Sequence, residues 1–433
     1  MGCLTASWLV SEAVAGEQAA DAKPKPSAAD GPVLSAQAAI LIDDTTGLTL
    51  YESNAHQRRY PASIGKLLTA LLCVEKGDLD QIVTVSTRAA AVGEATLHLA
   101  AGEKIKLRYL LLGLLMSSAN DAAVAVAETV GGDYDRFVAM MNAKARELAL
   151  NDTHFTNPHG LHNDNHYSTA YDLAHLARAA MALEEIAKIA DTEKAAIPWP
   201  GKPSNRELVN RNQLLGQWPA ADGIKTGYTK QAGRCLAASA TVDGWRLIGV
   251  CLGCKDTFAD GRTLLEWGFE HFRQVQVVRK GAAQTSCTVT KGEQESVPVT
   301  ATQDLALPLP RGARPPKPDF DLPPAEAPIA VGQQLGYLWV VYGGNEYRLP
   351  LVATAAVDKS LWAQLIDSHV PAALLLLLLA LSVGVLVYGA AAKIAGTRRY
   401  RLAQGKREAD SRRARLGQRQ DSHSAGHQSR PRD

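Results

Sequence analysis

The sequence predicts an α/β domain built on an antiparallel sheet flanked by helices, followed by a small all-β domain and a C-terminal transmembrane helix. Three observations lead there. From Val33 to about Phe272, strand-like stretches stand at the two ends of the span and helical ones in the middle. That order suits a sheet made from chain ends with helices on its faces. From Val275 the pattern changes to short alternating strands (Val275-Gln276-Val277, Val297-Pro298-Val299, Leu335 to Val341) between Gly-, Pro- and Asn-rich turns. Val370 to Ala392 is uncharged and, as a helix, long enough to cross a bilayer core of about 30 Å. The expected organisation is therefore an N-terminal segment 1–32, an α/β domain 33–272, a β-rich domain 273–358 and a linker 359–369. A transmembrane helix 370–392 and a basic tail 393–433 complete it.

At the N-terminus, Met1–Gly16 lacks the basic start and long apolar core of a signal peptide. The expectation is that the natural start lies upstream and that the chain begins within or after the signal. Residues 17–32, rich in Ala, Lys, Pro and Asp, read as a linker.

The first chemical motif is Ser63-Ile64-Gly65-Lys66, preceded by Pro61-Ala62 and followed by the apolar run Leu67 to Leu72. This reads as a buried helix with Ser63 in its first turn. A spacing of three puts Lys66 one turn above Ser63 on the same face, within reach of its hydroxyl. A serine hydroxyl is a weak nucleophile until a base takes its proton. Lys66 can be that base if burial or nearby positive charge lowers its pKa. By itself the motif reads rather as a capped helix with a snorkelling lysine, and the two motifs that follow reverse that.

Ser118-Ala119-Asn120 follows, between the apolar stretches Leu110–Met116 and Ala122–Ala127. A hydroxyl and an amide presented at a tight turn there can relay a proton and hold a substrate amide. The same residues also read as a helix N-cap with Asp121 in the first turn. The third motif is Lys225-Thr226-Gly227 within Asp222 to Thr229, ahead of a strand over Cys235–Ala240. Glycine at 227 leaves room for a substrate backbone beside the strand. Lys225 and Thr226 can bind a substrate carboxylate, and the backbone N–H of Tyr228 paired with that of Ser63 would form an oxyanion hole.

With these motifs in order, the chain resembles the D-alanyl-D-alanine carboxypeptidases, the low-molecular-mass penicillin-binding proteins of cell-wall metabolism. The likeness extends to Ala39–Asp43 with Gly47 and Tyr51-Glu52, to Asn157-Pro158-His159-Gly160-Leu161, and to His166–Leu173. It continues through Asn210–Leu215 to Gly261-Arg262, and covers about Val33 to Val357. The resemblance implies a transpeptidase/β-lactamase-like fold with a five-stranded sheet, Lys225 on its edge strand. It makes Ser63 the acylated nucleophile, Lys66 its base and Ser118 the proton relay. Asn120, Lys225, Thr226, Gly227 and Tyr228 would bind substrate, and Arg262 is a candidate for the terminal carboxylate. Ile64-Gly65 replaces the Thr-Thr the family often has, and Ala119 stands where glycine is common.

The implied function is removal of the terminal D-alanine of peptidoglycan stem peptides through a Ser63 acyl-enzyme, with acylation by β-lactams and no cofactor or metal. A DD-endopeptidase or β-lactamase shares the three motifs. A β-lactamase needs a carboxylate-held water, for which no loop in the sequence stands out, and endopeptidase relatives usually lack a second β domain. A catalytically silent wall-binding protein is the reading from another class, and intact Ser63 and Lys66 argue against it.

The net charge of +2 conceals an asymmetry: from Lys393 onward there are twelve Lys or Arg against four Asp or Glu. The terminal position of this charge implies no nucleic-acid groove. It fits the positive-inside rule, with a cytoplasmic tail and an extracytoplasmic α/β domain, and the polar segment beyond Arg407 reads as disordered. Four histidines at 154, 159, 162 and 166 have metal-like spacing but lack cysteine or glutamate partners on a recognisable scaffold. Of the six cysteines, Cys251 and Cys254 have redox spacing, yet they end an apolar strand, where Cys251 reads as a small buried hydrophobe.

Overall fold

The structure, a computed structural model, describes residues 31–368 and 370–421. The expectations for the first thirty residues, Cys3 included, lie outside them. In chain order the first elements are strands β1 (Ala38–Asp43) and β2 (Thr49–Ser53), a 3₁₀ turn at Ala62–Gly65 and helix α1 (Lys66–Lys76). Then come β3 (Ile82–Thr84), α2 (Thr87–Ala91), β4 (Lys104–Lys106), α3 (Leu107–Leu112), a π-helical turn at Gly113–Ser117 and α4 (Asn120–Gly131). Helices α5 (Tyr134–Glu147), α6 (Ala170–Met181) and α7 (Glu184–Ala190) precede the hairpin β5 (Lys194–Ile197) and β6 (Arg206–Val209). The α/β part closes with β7 (Ala221–Thr229), β8 (Gly233–Val242), β9 (Trp245–Cys254) and α8 (Thr257–His271).

Chain ends do form the sheet. Its order is β2-β1-β9-β8-β7, every neighbouring pair is antiparallel, and Lys225 pairs with Ala237 on the free-edged strand β7. Strands β1, β8 and β9 are apolar on both faces because both faces are covered. Ile40, Ile42, Val250 and Leu252 meet the helical layer that holds Leu67, Leu71 and Leu173. Leu41, Leu236 and Leu247 meet Leu264, Leu265 and Trp267 of α8. Helix α1 is buried from Lys66 through Cys73, which accounts for its lack of a polar face over those residues.

Beyond α8 the chain is all β up to Ala353. Its strands are β10 (Phe272–Val278), β11 (Ala283–Thr290), β12 (Ser296–Ala301), β13 (Leu305–Pro310), β14 (Asp319–Asp321), β15 (Ala325–Glu326), β16 (Gln334–Tyr342) and β17 (Asn345–Ala353). The proline-rich stretch Pro308 to Pro328 contributes the short strands β14 and β15. They pair with β16 and β11. By compactness the described chain forms two units, one of residues up to 282 with 301–321 and 337–350, the other of 283–300, 322–336 and 351 onward. Within the second, β11 runs antiparallel to the β12 residues up to 300, and Cys287, Val297 and Val299 are buried.

The segment expected as a linker carries helix α9 (Leu361–Asp367), capped by the Ser360 hydroxyl, which accepts from the Ala363 N–H at 3.3 Å. Helix α10 (Val370–Asp421) contains the apolar stretch and continues unbroken through the basic segment. The disorder expected beyond Arg407 is therefore not found up to Asp421. Ala, Arg, Gln and Lys are strong helix formers, and a nucleated helix propagates cheaply through them.

Candidate active site

One left-handed residue and two close backbone approaches build the site. Ala62 holds a left-handed backbone (φ 48) just before Ser63. Gly160 (φ +80) lies against it so tightly that a Cβ there would stand 2.1 Å from the Ala62 carbonyl oxygen. Gly227 of β7 comes in from the sheet edge, where a Cβ would stand 3.0 Å from the Ser63 nitrogen. The sequence reading gave Gly227 the job of making room for substrate; the structure shows that it makes room for the Ser63 backbone. Ser63 therefore sits in a 3₁₀ turn clamped between a loop and a strand.

Lys66 begins α1, one turn on. Its ammonium nitrogen donates to Ser63 Oγ at 2.9 Å, to Asn120 Oδ1 at 2.8 Å and to the His159 carbonyl oxygen. The loop carrying His159 is itself held by Asn157, whose side chain accepts from the Gly160 N–H at 2.7 Å and donates to the Leu161 carbonyl at 3.0 Å. The Lys66 side chain is wholly buried. Burial first, then the positive charges of Lys225 and Arg211, hold its pKa well below the ordinary lysine value. A neutral amine beside a serine hydroxyl can take a proton from it.

Ser118 closes the π-helical turn in left-handed conformation, φ 59 and ψ 33. Its hydroxyl is buried and has no hydrogen-bond partner among the described residues. It does not cap α4: the cap position is Ala119, with no side-chain bond. Asn120 instead ties the helix start to the loop before it. Its backbone N–H reaches the Ala95 carbonyl at 2.7 Å and its side-chain amide the Gly93 carbonyl at 2.9 Å. Asp121, fully buried, accepts from the Leu97 and Leu99 N–H groups of the same loop.

Lys225 lies buried below the strand edge, donating to the Thr226 carbonyl at 3.0 Å. Burial and the Arg211 charge bring its pKa down to about 7. Above these groups opens a cleft of about 360 Å³. Ser63, Ser118, Asn120, Thr226, Gly227 and Tyr228 all line it. Seven of the nine residues singled out by sequence thus meet there directly or, for Lys66, through Ser63 and Asn120; Lys225 adjoins them in β7.

Arg262 is the exception. It points away on α8, with a half-exposed side chain bonded to Glu266 at 2.7 Å and lying over Trp218 at 5.7 Å. Its distance in sequence from the strand end puts it a turn and a half into the helix, beyond the cleft. Arg211 and Arg234 line the cleft instead, along with Glu94 and Thr257. The Thr257 hydroxyl, like that of Ser118, is buried without a partner among the described residues. Sequence offered little signal for these four, apart from Arg211 within the Asn210–Leu215 stretch. They converge from four separate places in the chain: Glu94 and Arg211 from loops, Arg234 from the start of β8 and Thr257 from the start of α8.

The clustered histidines are individually engaged. His159 and His166 are buried and their pKa values are depressed to about 3 and about 4, mainly by burial. His154 Nδ1 stands 2.6 Å from the Asn165 carbonyl, and His162 lies 3.3 Å from Asp164. Cys251 and Cys254 are both buried, as free thiols.

The family described as D-alanyl-D-alanine carboxypeptidase matches residues 25–256, and the C-terminal domain of penicillin-binding protein 5 matches residues 272–359. Among curated relatives, D-alanyl-D-alanine carboxypeptidase DacF of Bacillus subtilis is 34% identical over 70% of this chain and 80% of its own length. D-alanyl-D-alanine carboxypeptidase DacD of Salmonella typhimurium is 37% identical over 76% of this chain and 88% of its own. Among solved structures, penicillin-binding protein 5 of Haemophilus influenzae superposes with a TM-score of 0.64 at 30% identity, covering 76% of this chain and 99% of that one.

Proposed function

The chain belongs to the D-alanyl-D-alanine carboxypeptidase family, and on that premise we propose that it is a membrane-anchored serine enzyme that removes the terminal D-alanine of peptidoglycan stem peptides through an acyl-enzyme on Ser63. The observation that carries this reading is the buried Lys66 nitrogen 2.9 Å from Ser63 Oγ. Neutral Lys66 takes the serine proton as Oγ attacks the carbonyl carbon of the penultimate D-alanine. The N–H groups of Ser63 and Tyr228 receive the oxyanion. Ser118, whose hydroxyl has no partner among the described residues, relays the proton now on Lys66 to the leaving nitrogen of the terminal D-alanine. Water then hydrolyses the ester and regenerates the serine.

Substrate lies along the free edge of β7, in the manner of an added strand. Its terminal carboxylate meets Thr226 and the two cleft arginines, Arg211 and Arg234, rather than Arg262. β-Lactams acylate the same serine because their strained amide mimics the scissile bond. The apolar stretch of α10 anchors the chain; the Lys- and Arg-rich segment after it lies on the cytoplasmic side and the cleft on the other. Labelling with a fluorescent penicillin tests the acyl step: the intact chain should label and Ser63→Ala should not.

A further inference from the structure

Among the residues lining the cleft, Glu94 is the only acid, in a site otherwise furnished with Lys66, Lys225, Arg211 and Arg234. A carboxylate among four cations would ordinarily be drawn into an ion pair, yet Glu94 makes no hydrogen bond or ion pair with the described residues and its side chain is exposed. It does not hang from a loose loop. Its two neighbours present their carbonyls to Asn120, Gly93 to the side-chain amide and Ala95 to the backbone N–H. Asp121 fixes the next residues through Leu97 and Leu99. Glu94 itself is forced into the left-handed region, φ 65, a conformation that costs a non-glycine residue free energy and tends to persist where function retains it.

We propose that Glu94 receives an ammonium group carried by the acyl part of the substrate, which makes it a specificity-determining residue of the cleft. The two ends of a bound peptide are separated by charge. The terminal carboxylate belongs with Arg211, Arg234 and Thr226, where an ammonium would be repelled. Asn120 holds the acyl-side amide, and Glu94 is tethered to Asn120 through Gly93. A positively charged side chain upstream of the scissile bond is therefore placed beside Glu94, the one acid among the described residues that line the cleft. The fitting substrate class is a stem peptide whose diamino-acid residue keeps its side-chain amine free. The inference takes the substrate's class from the reading above, but not the reaction.

Affinity is measured without turnover, on the full chain in detergent carrying Ser63→Ala, with and without Glu94→Gln. The two probes are L-Ala-γ-D-Glu-L-Lys-D-Ala-D-Ala and the same peptide with its lysine amine acetylated. Replacing Glu94 should weaken the free-amine peptide about fivefold, the scale of a partly exposed ion pair with good geometry, and leave the acetylated one unchanged. Equal losses for both peptides, or none for either, would overturn the inference. Slowed release of a penicilloyl group from Glu94→Gln on the Ser63 background, without an amine preference, would also overturn it and make Glu94 a deacylation base instead. If the amine preference is present while the Ser63 chain releases no D-alanine, this inference is supported and the proposed reaction is not.

Discussion

Gly160 and Ala62 meet backbone to backbone, so that a single added carbon at Gly160 would stand 2.1 Å from the Ala62 carbonyl oxygen. Gly227 makes a similar approach to Ser63 from the other side, at 3.0 Å. The position of Ser63 is thus set by two glycines on separate elements, and substitutions at the two should fail differently. Gly160→Ala combines a forbidden φ with a backbone collision and should cost about 3 kcal/mol of stability or more. Gly227→Ala needs only a shift of a few tenths of an ångström, so the fold should survive. Penicillin acylation should nevertheless fall about 100-fold as Ser63 is displaced. Urea unfolding and stopped acylation assays on the two variants separate these effects.

Lys225 is expected to weaken the fold that uses it. Its pKa is lowered from 10.5 to about 7, so between those values the unfolded chain binds the extra proton. Stability from this group therefore rises with pH across that window, and the whole penalty is present below about 7. The shift alone corresponds to at most about 5 kcal/mol, and loss of the bond to the Thr226 carbonyl offsets part of any relief. Lys225→Met should accordingly gain about 2 kcal/mol at pH 6 and little at pH 10, while losing acylation. A gain of equal size at both values would contradict the assignment.

In the proposed reaction Lys66 acts in its neutral form, and its pKa lies well below the ordinary lysine value. Acylation should therefore rise with pH through a midpoint far below 10.5 and level off above it. Lys66→Arg keeps the charge but cannot give up a proton. The acylation rate of that variant should fall at least about 1000-fold at every pH, against a range of 100- to 10,000-fold for a general base. A rate–pH profile for the two proteins checks both statements.

How much of this could be read from sequence depended on whether the residues were neighbours in the chain. The Ser63–Lys66 pair is separated by one helical turn, so its geometry follows from spacing alone. The edge position of Lys225 followed from resemblance, not from spacing. Glu94, Arg211, Arg234 and Thr257 reach the cleft from two loops, a strand start and a helix start far apart in the chain, and no local pattern marks such a meeting. Arg262 failed for the opposite reason: its neighbours resembled the family, but the helix turns it toward Glu266. The tail misled because charge and polarity suggested disorder, whereas its residues also continue a helix already begun.

The Asp121 carboxylate supports the loop that carries Glu94, accepting from Leu97 at 2.8 and 3.0 Å, from Leu99 at 3.1 Å and from Ala122 at 2.8 Å. Asp121→Ala would leave these buried N–H groups without an acceptor. The expected cost is about 3 kcal/mol, measured by urea unfolding. Hydrogen exchange should accelerate first at residues 94–99.

Anchoring by α10 is checked by phase partition in Triton X-114. The full chain should enter the detergent phase, and a chain ending at Ser368 should stay in the aqueous phase. Detergent partition of the shortened chain would move the anchor elsewhere.

Ser63, with Lys66 as its base, is expected to release D-alanine from a peptide ending in D-Ala-D-Ala. The direct test is release of free D-alanine from such a peptide by the chain ending at Ser368, beside its Ser63→Ala variant. Release by the unaltered sequence alone is the predicted result. Equal release by both would remove Ser63 as nucleophile. Release by neither, with penicillin still bound covalently to Ser63, would keep the acyl site and contradict the carboxypeptidase reaction.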